Sequence, residues 1–283
     1  MAFDQGVADA PLWLKDLRKR HGGVQVYAGN ILDKGSLIEA IGVFQPEALV
    51  NLAAKPGVAE AEEKPEQYEQ VNVQGLENVL EVCAEMGLTR IVHASSSSVY
   101  GLCAGQMDEQ QALEPLGRYG QTKARGEQSI WKACEKRNLH VRILRPFTLM
   151  GPLGRPDMAP WKFAEKISNG QTIQLHVGAR RDFTSVHDVA KAFALAIETD
   201  WKGCEAFNIG SEVPHGAEEL ARLLAQSLGR ELRFERVDLP VYMPPSTWSN
   251  STKAKQRIGW RPEVSFAAAV KEFAQWYVQQ PNL

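Results

Sequence analysis

The chain has 283 residues, 44% of them apolar and 23% charged, so it can bury a sizeable core in one large domain or two unequal ones. A formal net charge of −2 without a long basic run gives no electrostatic footprint for nucleic acid, and no apolar stretch is long enough to span a bilayer. The four cysteines (Cys83, Cys103, Cys134 and Cys204) form no CxxC pair, which argues against a zinc site or disulfide framework and for reduced thiols in a cytoplasmic protein without a signal peptide.

In chain order, VQVYAG (24–29) reads as a strand and Ser36 to Val43 as a helix. ALVNLAA (48–54) reads as a buried strand, and residues 66–86 carry a long helical pattern. RIVHASS (90–96) is a strand, 118–137 a second long helix, and HVRILRP (140–146) a further strand. This alternation predicts a doubly wound α/β fold, a parallel sheet with helices on both faces. Beyond GPLGRPDMAP (151–160) the pattern turns irregular. A helix at 160–168 precedes strands at 172–176 and 181–185, then a helix at 187–198. A strand at 205–209, a helix at 216–228, a strand at 231–236 and two closing helices complete the chain. The expected division is therefore 1–150 for the sheet domain and 151–283 mainly for a smaller α/β lobe, with some of its segments returning to the sheet.

RYGQTKARGEQ (118–128) places Tyr119 and Lys123 four apart, on one face of a helix. A phenol with a pKa near 10 is a poor base at neutral pH, and a neighbouring ammonium favours its phenolate. The pair can therefore take a hydroxyl proton. Alone, YxxxK more often marks an exposed Tyr and Lys on a solvated helix. Here ASSSSVYG (94–101) precedes it at a strand's carboxyl end, the place where doubly wound sheets bind ligands.

ASSSSVYG, YGQTK, RPFTLMGPLGRPDMA, RRDFTSVHDVA and FNIGS, in this order, resemble the extended short-chain dehydrogenase/reductases, the NAD-dependent epimerase/dehydratase family. The branch they look most like is the UDP-glucuronate 4-epimerases. The resemblance implies a Rossmann-like sheet, NAD as cofactor and a UDP-sugar substrate. It implies Ser96 as the catalytic hydroxyl, Tyr119 as the base and Lys123 as its partner. It places Ser97, Ser98, Thr148 and Arg155 by the sugar carboxylate and Arg181 by the diphosphate. Asn30, Ala53, Ala54, Tyr119, Lys123 and Pro146 fall on its cofactor side. Relatives that eliminate water carry an acidic pair where this chain has Ser97 and Ser98, so hydroxyls there imply epimerisation at one carbon. The resemblance also implies a homodimer through helices 66–86 and 118–137. The stripe Leu76, Val79, Leu80 and Cys83 faces either a partner or the chain's own sheet.

The family pattern also opens with a strand, GxxGxxG, a helix and a second strand, whose glycines admit a pyrophosphate at a helix N-terminus. No such motif occurs in this sequence, and Gly22-Gly23 reads as a turn. With VQVYAG as strand 3 and ALVNLAA as strand 4, the expected sheet lacks its first two strands and is open between them. An upstream start, direct pairing of strands 3 and 4, or strands from another chain would each answer this. Further departures are Asn30 for a family Asp, Ala59 for an Arg, and Tyr242-Met243 for Gly-Asp. Two functions follow: NAD-dependent C4 epimerisation of UDP-glucuronate, or nucleotide-sugar binding without catalysis. A UDP-glucose or UDP-N-acetylhexosamine epimerase is a related alternative.

Overall fold

A computed structural model describes residues 2–5, 23–103, 105–240 and 243–280. Gly22 of the Gly22-Gly23 pair and Tyr242 of the Tyr242-Met243 pair lie outside the described residues. Strand β1 (Ala2–Asp4) pairs in parallel with β2 (Val26–Ala28), and helix α1 (Lys34–Phe44) follows. Next come β3 (Leu49–Asn51), α2 (Val58–Glu63), α3 (Pro65–Glu69), a π-helical turn (Gln70–Gly75) and α4 (Leu76–Glu85). Strand β4 (Arg90–Ala94) leads to a single 3-10 turn (Ser97–Val99), α5 (Arg118–Arg137), β5 (His140–Pro146) and β6 (Thr148–Met150). The remainder is α6 (Ala159–Ser168), β7 (Ile173–His176), β8 (Arg180–Ser185), α7 (Val186–Glu198), β9 (Cys204–Ile209) and β10 (Pro214–Gly216), then α8 (Ala217–Leu228), β11 (Phe234–Val237), α9 (Thr252–Ile258) and α10 (Phe266–Val278).

The main sheet runs β3-β4-β5-β9, all parallel. Its strands alternate between two cores, as period-two side chains buried on both faces must. Ile91, Val141 and Ile143 meet Leu37, Ile41 and Ile130 on one face. Val92, Leu144 and Phe207 meet Val189, Ala192, Ile258 and Trp260 on the other. Leu76, Val79, Leu80 and Cys83 belong to the first of these cores. The apolar stripe therefore faces the chain's own sheet. A third core gathers Trp161, Phe163, Leu224 and Phe273 from α6, α8 and α10 around Ile173, Leu175 and Phe183 of β7 and β8.

Among the described residues β2 pairs with β1 and not with β3. The strand count needs correcting. Ala2–Asp4 is a strand beside VQVYAG that the sequence reading did not include. In the order 3-2-1-4-5-6 it takes place 2, so one place rather than two stays unfilled by a described strand. Three residues rich in intermediate burial carry too little pattern to be read alone, and only pairing with β2 defines them. Helix α2, β6 and β10 were also not foreseen, for the same reason: they have six, three and three residues.

The helical pattern at 66–86 is continuous, but the structure widens it into a π turn at Gln70–Gly75. There Asn72 donates to the Lys55 carbonyl and to Thr122 Oγ1, tying α5 to the loop after β3. A Cβ at Gly75 would lie 2.5 Å from Ile31 Cδ1, so glycine is what admits Ile31.

His93 sits within β4 with 3% exposure. Asn51 Nδ2 lies 3.2 Å from its Nδ1, so the amide donates to an unprotonated ring nitrogen. Burial, with the Lys123 charge adding to it, holds the imidazole well below its usual pKa. The unfolded chain therefore binds a proton that the folded one refuses. Stability should be full above pH ~6.5 and fall by roughly 1.4 kcal/mol per pH unit below it. Urea unfolding at pH 7 and pH 5.5 measures this, and His93→Gln should flatten the difference.

Candidate active site

The site is built where β4 and β5 end at the carboxyl edge of the parallel sheet, the edge at which such sheets take ligands. Ser95 and Ser96 follow β4, and Ser96 caps the 3-10 turn. Ser96 Oγ accepts from the Ser98 backbone N–H at 3.2 Å and from the Ser98 hydroxyl at 2.9 Å. Its own proton is thus directed elsewhere, and its side chain comes near enough to the Tyr119 phenol to favour the ionised form.

Gly120 makes that contact geometrically possible. A Cβ there would stand 2.6 Å from the Ser98 carbonyl oxygen and 2.9 Å from Pro115 Cβ. Without a side chain, the first turn of α5 presses directly onto the serine turn and delivers Tyr119 to Ser96.

Tyr119 is half-buried and meets Tyr68 edge-on, with ring centroids 6.4 Å apart. Burial pushes its phenol above 10, while the Ser96 side chain and the Arg155 charge oppose that rise. This differs from the expected arrangement. The Lys123 ammonium donates to the Ala94 carbonyl at 2.9 Å, and the cation acting on the phenol is Arg155. The reason is topological: α5 packs its buried face on the end of β4, so Lys123 meets that strand's last carbonyl.

Arg155 forms a two-point ion pair with Asp157 at 2.8 and 2.7 Å, which raises its pKa and lowers that of the carboxyl. Above it lies the turn Lys55-Pro56-Gly57, with Gly57 at φ +111. A side chain at Gly57 would come within 3.2 Å of Tyr68 Oη and 3.7 Å of Arg155 Nη2. Tyr68 Oη donates to the Pro56 carbonyl at 2.5 Å, and burial with the Glu60 charge pushes it up to about 12. Tyr68, Gly57 and Asp157 were missed by the sequence reading. The KPG triplet was the one available sign, since Pro-Gly marks a turn.

Ser96, Ser98, Tyr119 and Arg155 thus belong to one constellation, with Lys123 beneath it. Ser98 turns its hydroxyl to Ser96, and Ser97 opens the same turn. Pro146 ends β5, and Thr148 lies just beyond in β6, paired with Phe183 of β8. Arg181 lies in β8, where its guanidinium donates to the carbonyls of Arg180 (2.7 Å) and Pro245 (3.2 Å), and burial lowers its pKa. Ala53 and Ala54 follow β3, with the Ala53 N–H donating to Asn51 Oδ1. Asn30 follows β2 on the separate sheet fragment, and its Oδ1 accepts from the Leu32 N–H in a turn leading to α1. Ala59 lies in α2.

Residues 8–210 match the model of the NAD dependent epimerase/dehydratase family. The chain belongs to that family. Protein CapI of Staphylococcus aureus is 32% identical over 256 residues, 83% of this chain and 77% of CapI. UDP-glucuronate 4-epimerase 4 of Arabidopsis thaliana is 30% identical over 277 residues, 90% of this chain. The chain spans 63% of that plant relative, less than two thirds of its length. Among solved structures, the UDP-glucuronic acid 4-epimerase of Bacillus cereus in complex with UDP-glucuronic acid and NAD is similar at a TM-score of 0.88 and 26% identity. That match covers 98% of this chain and 90% of the other. Membership of the epimerase/dehydratase family and a Rossmann-type parallel sheet are as the sequence implied. Among the described residues no helix is long and apolar enough to cross a membrane, and no group of His, Cys, Asp and Glu is placed to hold a metal ion.

Proposed function

We propose that this chain is an NAD-dependent nucleotide-sugar epimerase acting at C4 of UDP-glucuronate. The observation that carries the reading is the bonded Ser98–Ser96 hydroxyl pair at the carboxyl edge of the sheet, with Ser96 and Arg155 both favouring ionisation of Tyr119.

The nicotinamide end of the site fits the cofactor. The Lys123 ammonium has three donors and gives one to Ala94, which leaves donors for ribose hydroxyls. Tyr119, Pro146, Ala53 and Ala54 would hold that side, and Asn30 would serve the adenine end. Reversible uptake of a hydride from the sugar carbon is the chemistry that NAD supplies when bound. Tyr119 takes the C4 hydroxyl proton and later returns it. Ser96 bridges the substrate oxygen and the phenol, and its own proton is replaced from Ser98. Arg155 favours the phenolate. Its guanidinium, with Thr148, Ser97 and Ser98, suits a sugar carboxylate, and Arg181 suits a diphosphate, because a planar fork matches both anions.

The deciding experiment incubates the chain with NAD+ and UDP-glucuronate and looks for UDP-galacturonate. Absence of product with either the 283-residue chain or a longer version carrying an upstream strand–GxxGxxG–helix ends the proposal. One observation favours a second reading, UDP-sugar binding without catalysis: the sequence contains no glycine-rich pyrophosphate loop. Calorimetry distinguishes the two, since UDP-sugar binding without NAD+ binding supports the second and tight NAD+ binding defeats it.

The homodimer reading belongs here as well. Helices 65–85 and 118–137 flank a polar groove of about 720 Å³ lined by Glu66, Glu69, Gln74, Arg118, Gln121 and Arg125. A single 31.4 kDa species in light scattering would end it. Four free thiols support a reducing compartment, the cytoplasm.

A further inference from the structure

Three charges are buried under the tyrosine, and the steps above use only one of them. Lys123 is 4% exposed. One helical turn further along α5, Glu127 has no exposed surface. Its carboxylate accepts from Ser95 Oγ at 2.5 Å and from Arg145 Nε and Nη2 at 2.9 and 2.6 Å. Arg145 gives its Nη1 to Tyr100 Oη at 2.8 Å, and that hydroxyl donates to Asn208 Oδ1 at 2.7 Å. Ala94 and Ser95 immediately precede Ser96. One carboxylate therefore ties α5, the end of β4 and β5 together directly beneath the reacting groups.

Stability alone is a poor reason for this arrangement. Desolvating two charges costs about what their attraction returns, and an apolar pair of similar volume often serves as well. The order of charges is the informative part: ammonium, carboxylate, guanidinium.

We infer that Glu127, fixed by Arg145 and Ser95, is a positioning residue that keeps Lys123 protonated and aimed at the end of β4 beside the reacting tyrosine. The inference rests on the epimerase reading of the site.

Burial pushes Lys123 down to about 8, and the Glu127 charge opposes that fall. The other groups packed around it do not replace this effect. His93 on β4 is held neutral, and burial raises the pKa of the phenols of Tyr119 on α5 and Tyr100 beside the serine turn. Glu109 accepts from the Asn208 N–H on the far side of Tyr100, and Arg145 on β5 is a cation engaged by Glu127 itself. Without the carboxylate, two buried cations would share the site and the ammonium would release its proton more readily.

The test compares Glu127→Gln with the unaltered chain in UDP-glucuronate turnover with NAD+, across pH. The expected result is a basic limb displaced by about one unit to lower pH, so that kcat falls about twofold near neutral pH and about tenfold on the limb itself, with a KM within about twofold. The Lys123 titration, read directly from side-chain Cε chemical shifts and assigned with Lys123→Met, should move the same way. Glu127→Gln leaves the Arg145 charge unpaired, so Glu127→Gln/Arg145→Met provides a second chain with neither charge, expected to fold and to show a smaller displacement in the same direction. A folded variant whose basic limb and Lys123 titration match the unaltered chain overturns the inference. So does a loss of kcat and rise of KM together with an unmoved limb. If the unaltered chain turns over no UDP-glucuronate, the epimerase reading fails, and the Lys123 titration decides the role of Glu127 by itself.

Discussion

Tyr119→Phe should lower kcat for UDP-glucuronate epimerisation by about a thousandfold while UDP-glucuronate binding changes by less than about twofold. The ring stays in place because its packing does not depend on the hydroxyl. It meets Tyr68 edge-on, and the turn beneath it is set by Gly120 against the Ser98 carbonyl. What is lost is the single group that can take a proton at the end of the Ser98–Ser96 chain. Proton transfer by a placed side chain contributes roughly 10²–10⁴-fold. The measurement is product formation under saturating NAD+, paired with calorimetry of UDP-glucuronate binding. A variant retaining more than about a tenth of the turnover would mean that another group moves the proton.

Asp182→Ala should cost about 4 kcal/mol of folding stability, enough to leave much of the chain unfolded at 37 °C. Asp182 has no exposed surface. Its Oδ1 accepts from the Ser211 N–H and hydroxyl, both at 2.7 Å. Its Oδ2 accepts from the Glu212 N–H (3.0 Å) and from the Ser249 N–H (3.0 Å) and hydroxyl (2.5 Å). One carboxylate therefore closes β8, the loop after β9 and the segment before α9 onto each other. Truncation leaves those donors buried and unsatisfied, each at a cost of about 1–3 kcal/mol before relaxation. Asp182→Asn, which keeps the shape and two lone pairs, should lose roughly half as much. Urea unfolding of the three chains measures the order, and an alanine variant within about 1 kcal/mol of the unaltered chain would mean that water replaces the carboxylate.

The elements with strong periodicity were legible. The helix at 118–137 and the strand at 140–146 have the bounds expected of them, because their apolar positions repeat over two turns or more and over both faces of a sheet. Elements of three to six residues were not, since β1, β6 and β10 exist through pairing with β2 and β8 rather than through local preference. At the site, Tyr119, Lys123 and Ser96 could be named because a four-residue helical spacing and a strand-end serine run have direct geometric meanings. Tyr68 could not, because it arrives from a helix about fifty residues upstream, through a turn held open by Gly57.

The sequence by itself determined the alternation of strands and helices and which side chains carry proton-transfer chemistry. Those properties follow from residue type and spacing along one chain. Tertiary structure decided which charges those side chains meet. It put the Lys123 ammonium on Ala94, the Arg155 charge by the phenol, and Glu127 between two cations. Charge interactions depend on distance and on the water removed between groups, and both are set only when remote segments pack.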